Sequence, residues 1–199
     1  KDLKKVNEIK KKYEIKGDYI IYIGTIQPRK NLVRLIEAIK QVDDLKLVIV
    51  GKTTGLGRQA WMFKDILNAP RKFGVEHKVI FTGFAPTEEL PYLLAGSQAF
   101  ILPSLWEGFG IPVVEAMACG TPVIVSSVSS LPEVVGDAGI LVDPYNIQAI
   151  SKAMRELASD DIFRSSIIKK GIVRAGRFDW GKCAKETLGI IKGVKETKG

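Results

Sequence analysis

Residues 99–126 read AFILPSLWEGFGIPVVEAMACGTPVIVS. Ala99–Leu102 is a short apolar run of strand type, and residues 103–111 form a loop carrying Gly108 and Gly110. Pro112–Cys119 reads as a helix with Pro112 at its first position, where a missing N–H costs nothing. Pro122–Ser126 is a second strand. A strand, a glycine-bearing loop, a helix and another strand in one run make the repeating unit of a parallel sheet.

The same alternation extends outward. Upstream strands are expected at Tyr19–Gly24, Leu45–Gly51 and Lys78–Thr82. Between them, Asn31–Val42 places Leu32, Leu35, Ile36 and Ile39 at helical spacing, and a further helix falls near Arg58–Phe73. Thr87 is the expected N-cap of a helix carrying Leu90, Leu93 and Leu94. Downstream come a short helix at Leu131–Val135 and a strand at Gly139–Val142. Helices near Ile147–Ala158, Asp161–Ala175 and Trp180–Lys195 finish the chain. The series predicts an α/β fold: a doubly wound, Rossmann-like parallel sheet with helices on both faces. The expected layout is one domain over residues 1–199, with a body at 14–176 and C-terminal helices at 177–199.

Composition narrows the function classes. The chain has 199 residues, 46% of them hydrophobic and 26% charged, which suits one large soluble domain. No apolar run reaches the roughly 18–20 residues of a membrane span. Lys1–Lys16 has no apolar centre and is not a signal peptide. Its start at Lys rather than Met suggests a fragment. Cys119 and Cys183 are far apart and form no CxxC, which favours reduced thiols over a disulfide or a zinc site and points to the cytoplasm. The net charge of +8 favours anionic partners. Much of it sits in Lys1–Lys16 and Lys182–Lys198, which fit either solvated helix faces or peripheral contact with a membrane surface.

Ligands of such sheets bind beyond the carboxyl ends of the strands, so the loops after strands are the candidate site. Gly24-Thr25-Ile26-Gln27-Pro28-Arg29-Lys30 puts two adjacent cations at one such end. Arg grips two phosphate oxygens at once, Lys adds a point charge, and the following helix offers backbone donors. In the second loop, Gly108 and Gly110 permit close backbone approach, and the N–H groups of Gly110 and Ile111 should point into the same crevice. Glu115, in the first turns of the helix, can accept two hydroxyl hydrogen bonds, as a ribose diol would offer.

These motifs resemble those of retaining GT-B glycosyltransferases of family GT4. Pro103–Val125 is similar to the family signature, with Glu107 and Glu115 enclosing seven residues as E-x7-E. GTIQPRKN followed by LIEAI resembles the family's phosphate loop, and VIFTGF at Val79–Phe84 with Glu88–Leu90 its base-side strand and loop. Phe178-Asp179-Trp180 is similar to the usual opening of the final helices. The likeness runs from about Tyr13 to Val194.

The resemblance implies the donor-binding, C-terminal half of a two-domain enzyme, with the acceptor side in an N-terminal domain absent from this chain. Arg29 and Lys30 would hold the donor diphosphate, and Glu107 would touch the hydroxyls of the transferred sugar. Phe109, Gly110 and Ile111 would give backbone N–H groups, Glu115 would bind ribose, and Gly83 and Phe84 would lie near the base. Many relatives carry a cation directly after the first-loop glycine. Thr25 stands there instead, which rests the phosphate clamp on Arg29 and Lys30. The implied reaction is metal-independent transfer with retention from an NDP-hexose, GDP-mannose or a UDP-sugar, to a glycan or lipid acceptor. The fragment alone is expected to bind donor and to transfer little sugar.

Other patterns are weaker. Gly55-Leu56-Gly57-Arg58-Gln59-Ala60 fits GxGxxA, but it follows the second strand, and no acid ends the next one, against a dinucleotide-dependent oxidoreductase. A non-catalytic nucleotide-sugar-binding module is the other alternative, opposed by the presence of Arg29, Lys30, Glu107 and Glu115 together. Gly51-Lys52-Thr53 has Lys46 where a P-loop needs its first glycine. His77, the single histidine, precedes a strand at the edge away from ligands. The chain has no Asp-x-Asp, and its aromatics lack the pairing of an RNA-binding sheet, so neither a metal nor a nucleic acid is expected.

Overall fold

The computed structural model describes residues 2–52 and 59–196. The strands are β1 (Asp18–Ile23), β2 (Leu45–Val50), β3 (Val79–Gly83), β4 (Ala99–Leu102), β5 (Val123–Ser126) and β6 (Ile140–Val142). All neighbours pair in parallel in the order β3-β2-β1-β4-β5-β6, which is the doubly wound sheet expected. β4 and β5 are buried along their whole length, and β1 is buried from Tyr19 to Tyr22. Burial on both faces explains why these strands read as unbroken apolar runs rather than as alternation.

The helices are α1 (Leu3–Lys12), α2 (Leu32–Ile39), α3 (Gln59–Phe73), α4 (Leu90–Ala95), α5 (Ile111–Ala118), α6 (Leu131–Val135), α7 (Ile147–Ser159), α8 (Asp161–Ala175) and α9 (Trp180–Glu196). In α2 the apolar stripe Leu32, Leu35, Ile36 and Ile39 is buried as its spacing requires. The α1 segment had shown only its charge in the sequence. It buries Val6 and Ile9, and its Tyr13 and Lys12 bond Glu89 beside α4. Every described side chain of α9 is exposed.

Helix starts differ in detail from the sequence reading. Thr87 does not cap a helix. Thr87–Glu89 is a 3-10 turn without a side-chain cap, and α4 begins after it at Leu90-Pro91. Among the described residues, side-chain caps are Asp2, Asn146, Asp160 and Asp179, which accept from the N–H groups of Lys5, Ala149, Phe163 and Lys182 at 3.0, 2.9, 2.8 and 2.6 Å. Pro112 is the second residue of α5, behind Ile111. Asn31 lies just outside α2, and the three residues before it form a 3-10 turn. The GxGxxA stretch begins within residues 53–58, outside the described residues.

Two backbones cross tightly at the carboxyl edge. A Cβ placed on Gly51, just past β2, would stand 2.1 Å from the Gly24 carbonyl oxygen, just past β1. Gly51→Ala should therefore push these strand ends apart and destabilise the chain by about 1–3 kcal/mol, read by urea denaturation. An unchanged midpoint would mean the edge yields without strain.

Candidate functional site

Strand order reverses between β1 and β4, and a doubly wound sheet opens a crevice at that reversal, outside the strands' carboxyl ends. The loops after β1 and β4 flank it. After β1 the chain passes through residues 24–27 into the turn Pro28–Lys30, where proline presets φ. The N–H groups of Lys30 and Asn31 donate to the carbonyls of Gln27 (2.9 Å) and Pro28 (3.0 Å) and close that turn. Asn31 then takes a left-handed conformation (φ 60°), which asparagine tolerates better than most residues. Its buried amide donates to the carbonyls of Pro103 (3.1 Å) and Pro144 (2.6 Å). The Leu105 N–H donates to the Arg29 carbonyl at 2.8 Å, so the two loops are joined through their backbones.

This joining brings three charged groups together. Lys30 Nζ lies 2.5 Å from Glu107 Oε1, and both residues are 8% exposed. Arg29 Nη1 lies 3.3 Å from Glu107 Oε2 and also donates to the Trp106 carbonyl at 3.1 Å. The Arg29 side chain remains 42% exposed, so it is the cation open to solvent. Burial acts to raise the Glu107 carboxyl. Hydrogen bonds from Lys30 and Ser104 and the charges of Lys30 and Arg29 outweigh it and hold the group below its ordinary value. Beneath the site, the Tyr22 hydroxyl donates to the Thr25 carbonyl at 2.7 Å, and burial followed by the Glu107 charge pushes this phenol up.

The α5 end completes the rim. Gly110 precedes the helix at φ 99°, and a Cβ there would lie 2.7 Å from Leu131 Cδ2, so the position requires glycine on two counts. Pro112 has no N–H, and the Val113 N–H donates to Gly110 at 2.9 Å, leaving Ile111 as the outward donor of the first turn. Phe109 packs edge-on against Phe178, with ring centroids 5.6 Å apart. Gly108, Phe109 and Ile111 are exposed. Beside the first loop lies an apolar cavity of about 470 Å³. Gly24, Thr25, Ile26, Gly51, Phe63, Phe84 and Leu90 help to line it.

Of the residues expected from sequence, Arg29, Lys30 and Glu107 form one contact network, and Gly24, Thr25 and Phe84 share the cavity. Gly83 is left-handed (φ 72°) and accepts from the Gly51 N–H at 2.9 Å, next to that cavity. Glu115 is exposed on α5 and belongs to none of the ion pairs around Glu107; its charge, after burial, raises the Cys119 thiol. His77 lies at the opposite edge, where its carbonyl accepts from Lys46. Sequence reasoning passed over Tyr22, Asn31, Ser104, Ser129 and Ser130. The signal was the serine-rich loop after β5, whose carboxyl-end position was legible although no single serine stood out.

The family profile described as "Glycosyl transferases group 1" matches residues 5–174. The chain belongs to glycosyl transferases group 1. This group 1 domain is 37% identical over 174 residues to the O-antigen chain mannosyltransferase B of Escherichia coli, covering 87% of the chain and 45% of that protein. It therefore spans less than half of this relative's length. Its fold matches the C-terminal domain of a glycosyl transferase group 1 family protein from Francisella tularensis with a TM-score of 0.73 at 28% identity, covering 85% of the chain and 90% of that domain. It also matches HepE of Anabaena, solved with UDP-glucose, with a TM-score of 0.87 at 22% identity over 97% of the chain and 54% of HepE. The sheet is thus that of GT-B glycosyltransferases. Among the described residues no helix is long and apolar enough to cross a membrane, and no group of three or more His, Cys, Asp or Glu could hold a metal ion.

The Glu107 network gives a pH test. A carboxyl held low in the folded state loses its proton more readily folded than unfolded. Its stabilisation is present above the unfolded value of about 4.3 and is lost as pH falls through the lower folded value. Glu107→Gln leaves Lys30 without its counter-charge and should cost about 2–4 kcal/mol near neutrality. Urea titrations at stepped pH should show that difference shrinking as pH falls below the unfolded value. A difference constant with pH would show that the carboxylate charge is not what matters.

Proposed function

We propose that this domain holds the donor of a retaining hexosyltransferase, a nucleoside diphosphate hexose with GDP-mannose or a UDP-sugar as candidates. The observation that carries the reading is the joining of Arg29 and Lys30 to Glu107, on the loop that runs into α5, at the sheet's reversal point. An exposed guanidinium suits a diphosphate, and the N–H at the tip of α5, the helix that the Glu107 loop enters, would add to its grip. Glu107 Oε2, approached only at 3.3 Å, suits a sugar hydroxyl. The apolar cavity with Phe84 on its wall suits a nucleobase, and Glu115 on α5 suits the ribose. The 37% identity to an O-antigen mannosyltransferase favours mannose and a glycan or lipid-linked acceptor, held with the help of a further domain.

In the proposed reaction the bond from the anomeric carbon to the diphosphate breaks, and an acceptor hydroxyl oxygen bonds that carbon from the same face. The hydroxyl proton passes to the departing phosphate oxygen. Negative charge grows on the leaving diphosphate, and Arg29, Lys30 and the Ile111 N–H stabilise it, work that a divalent metal does in many other transferases. On this reading no metal is needed.

Titration calorimetry of this chain with GDP, UDP and ADP tests the proposal, and binding of at least one is expected. Arg29→Ala should weaken that diphosphate by about 10–100-fold, the loss of one or two charge-assisted hydrogen bonds, while the matching nucleoside binds as before. Absence of heat from all three would overturn the donor assignment. Equal losses for diphosphate and nucleoside would remove Arg29 from the phosphate site.

A further inference from the structure

The loop that carries Glu107 has no regular secondary structure, yet its carboxylate is held by the loop after β1 and by Ser104 of its own loop, and its backbone by the loop after β5. Glu107 Oε1 accepts from Lys30 Nζ at 2.5 Å and from Ser104 Oγ at 2.6 Å. A carboxylate oxygen offers about two lone-pair sites, so Oε1 is saturated. Among the described residues, Oε2 accepts only the longer bond from Arg29, at 3.3 Å. The two oxygens of this carboxylate are therefore not equivalent, and Oε2 is the one left to meet a ligand.

The backbone is held by serines as well. Ser129 Oγ accepts from the Glu107 N–H at 2.9 Å and donates to the Glu107 carbonyl in return. Ser130 Oγ also reaches that carbonyl, at 3.0 Å. Ser104 is completely buried, and its own carbonyl accepts from Ser126 Oγ at 2.6 Å. Ser129 sits at φ 63°, a left-handed conformation that disfavours most side chains. A residue kept there by a hydroxyl that bonds both the N–H and the carbonyl of one residue is placed for that contact.

We infer that Ser104 and Ser129 are positioning residues, which set Glu107 so that Oε2 meets the hydroxyls of the transferred sugar. Ser104 fixes the rotation of the carboxylate, whose last side-chain torsion is otherwise broad. Ser129 fixes the height of its backbone against the loop after β5. Neither serine needs to touch the diphosphate. The inference rests on the donor reading above and deepens it: the serines govern recognition of the sugar and leave recognition of the diphosphate to Arg29, Lys30 and the α5 tip.

The test compares four ligands, GDP, GDP-mannose, UDP and UDP-glucose, on this chain by titration calorimetry. The readout is the ratio of diphosphate-sugar affinity to diphosphate affinity for whichever base binds. Ser104→Ala and Ser129→Gly should each lower that ratio by about tenfold, one charge-assisted or bracketing hydrogen bond, with diphosphate affinity within about twofold of wild type. Ser129→Gly also relieves the left-handed backbone, which offsets part of the two lost hydrogen bonds, so its thermal midpoint should fall less than that of Ser129→Ala while sugar recognition falls equally in both, a split that a purely structural serine would not produce. A ratio unchanged in both variants, or equal losses for sugar and diphosphate, overturns the inference while leaving the donor reading in place. Failure of the wild-type chain to bind any of the four ligands or ADP overturns the donor reading, and the inference with it.

Discussion

A buried carboxylate gripped by a buried ammonium is the constraint on which the rest of this site depends. Removing Glu107 and Lys30 from water is costly, and their mutual attraction offsets that cost only with further hydrogen bonds to the carboxylate. Satisfying that requirement draws in the surroundings. Ser104 fills the second position on Oε1, Arg29 takes Oε2, and Asn31 stitches the Lys30 turn to the carbonyls of Pro103 and Pro144. The loops after β1 and β4 thus behave as one unit, although more than seventy residues of chain separate their charges.

That arrangement also divides the labour between the two cations. Lys30 is neutralised at close range, whereas Arg29 keeps much of its surface in solvent. Two positive charges against one negative leave the cluster with a net single positive charge before any ligand arrives. A diphosphate entering such a site meets an attractive but not saturating field, and the α5 tip adds to it. Thr25 brings no charge to the first loop, so the exposed guanidinium four residues later supplies its open positive charge. The hydroxyl of Tyr22, passing beneath Gly24 to the Thr25 carbonyl, holds the loop from the inside.

Much of this was legible in the residues themselves. Unbroken runs such as FIL and VIV, separated by helical spacing, specify a buried parallel sheet, since no other arrangement hides both faces of such strands. Gly110 and Pro112 mark the start of α5 because few residues fit a left-handed entry followed by a missing N–H. The acid and the two cations were visible as chemistry. Less visible were the caps: Thr87 had the right side chain and no helix to bond, while Asp2, Asn146, Asp160 and Asp179 did the capping. Hydroxyls are poor signals in a sequence, because a serine in a loop is ordinary until a partner is placed against it. That is why Ser104 and Ser129 could not be singled out.

By itself, then, the sequence determined the class of sheet, the carboxyl-edge location of the loops and the chemical inventory of the site, because periodicity, glycine and proline act locally. Only the tertiary structure decided that β1 lies beside β4, that Lys30 is buried against Glu107 while Arg29 stays open, and which oxygen of the carboxylate remains available. Strand order is set by packing energies summed over the whole sheet, and ion-pair geometry by contacts between residues distant in the chain. Neither leaves a trace in the local spacing of residues.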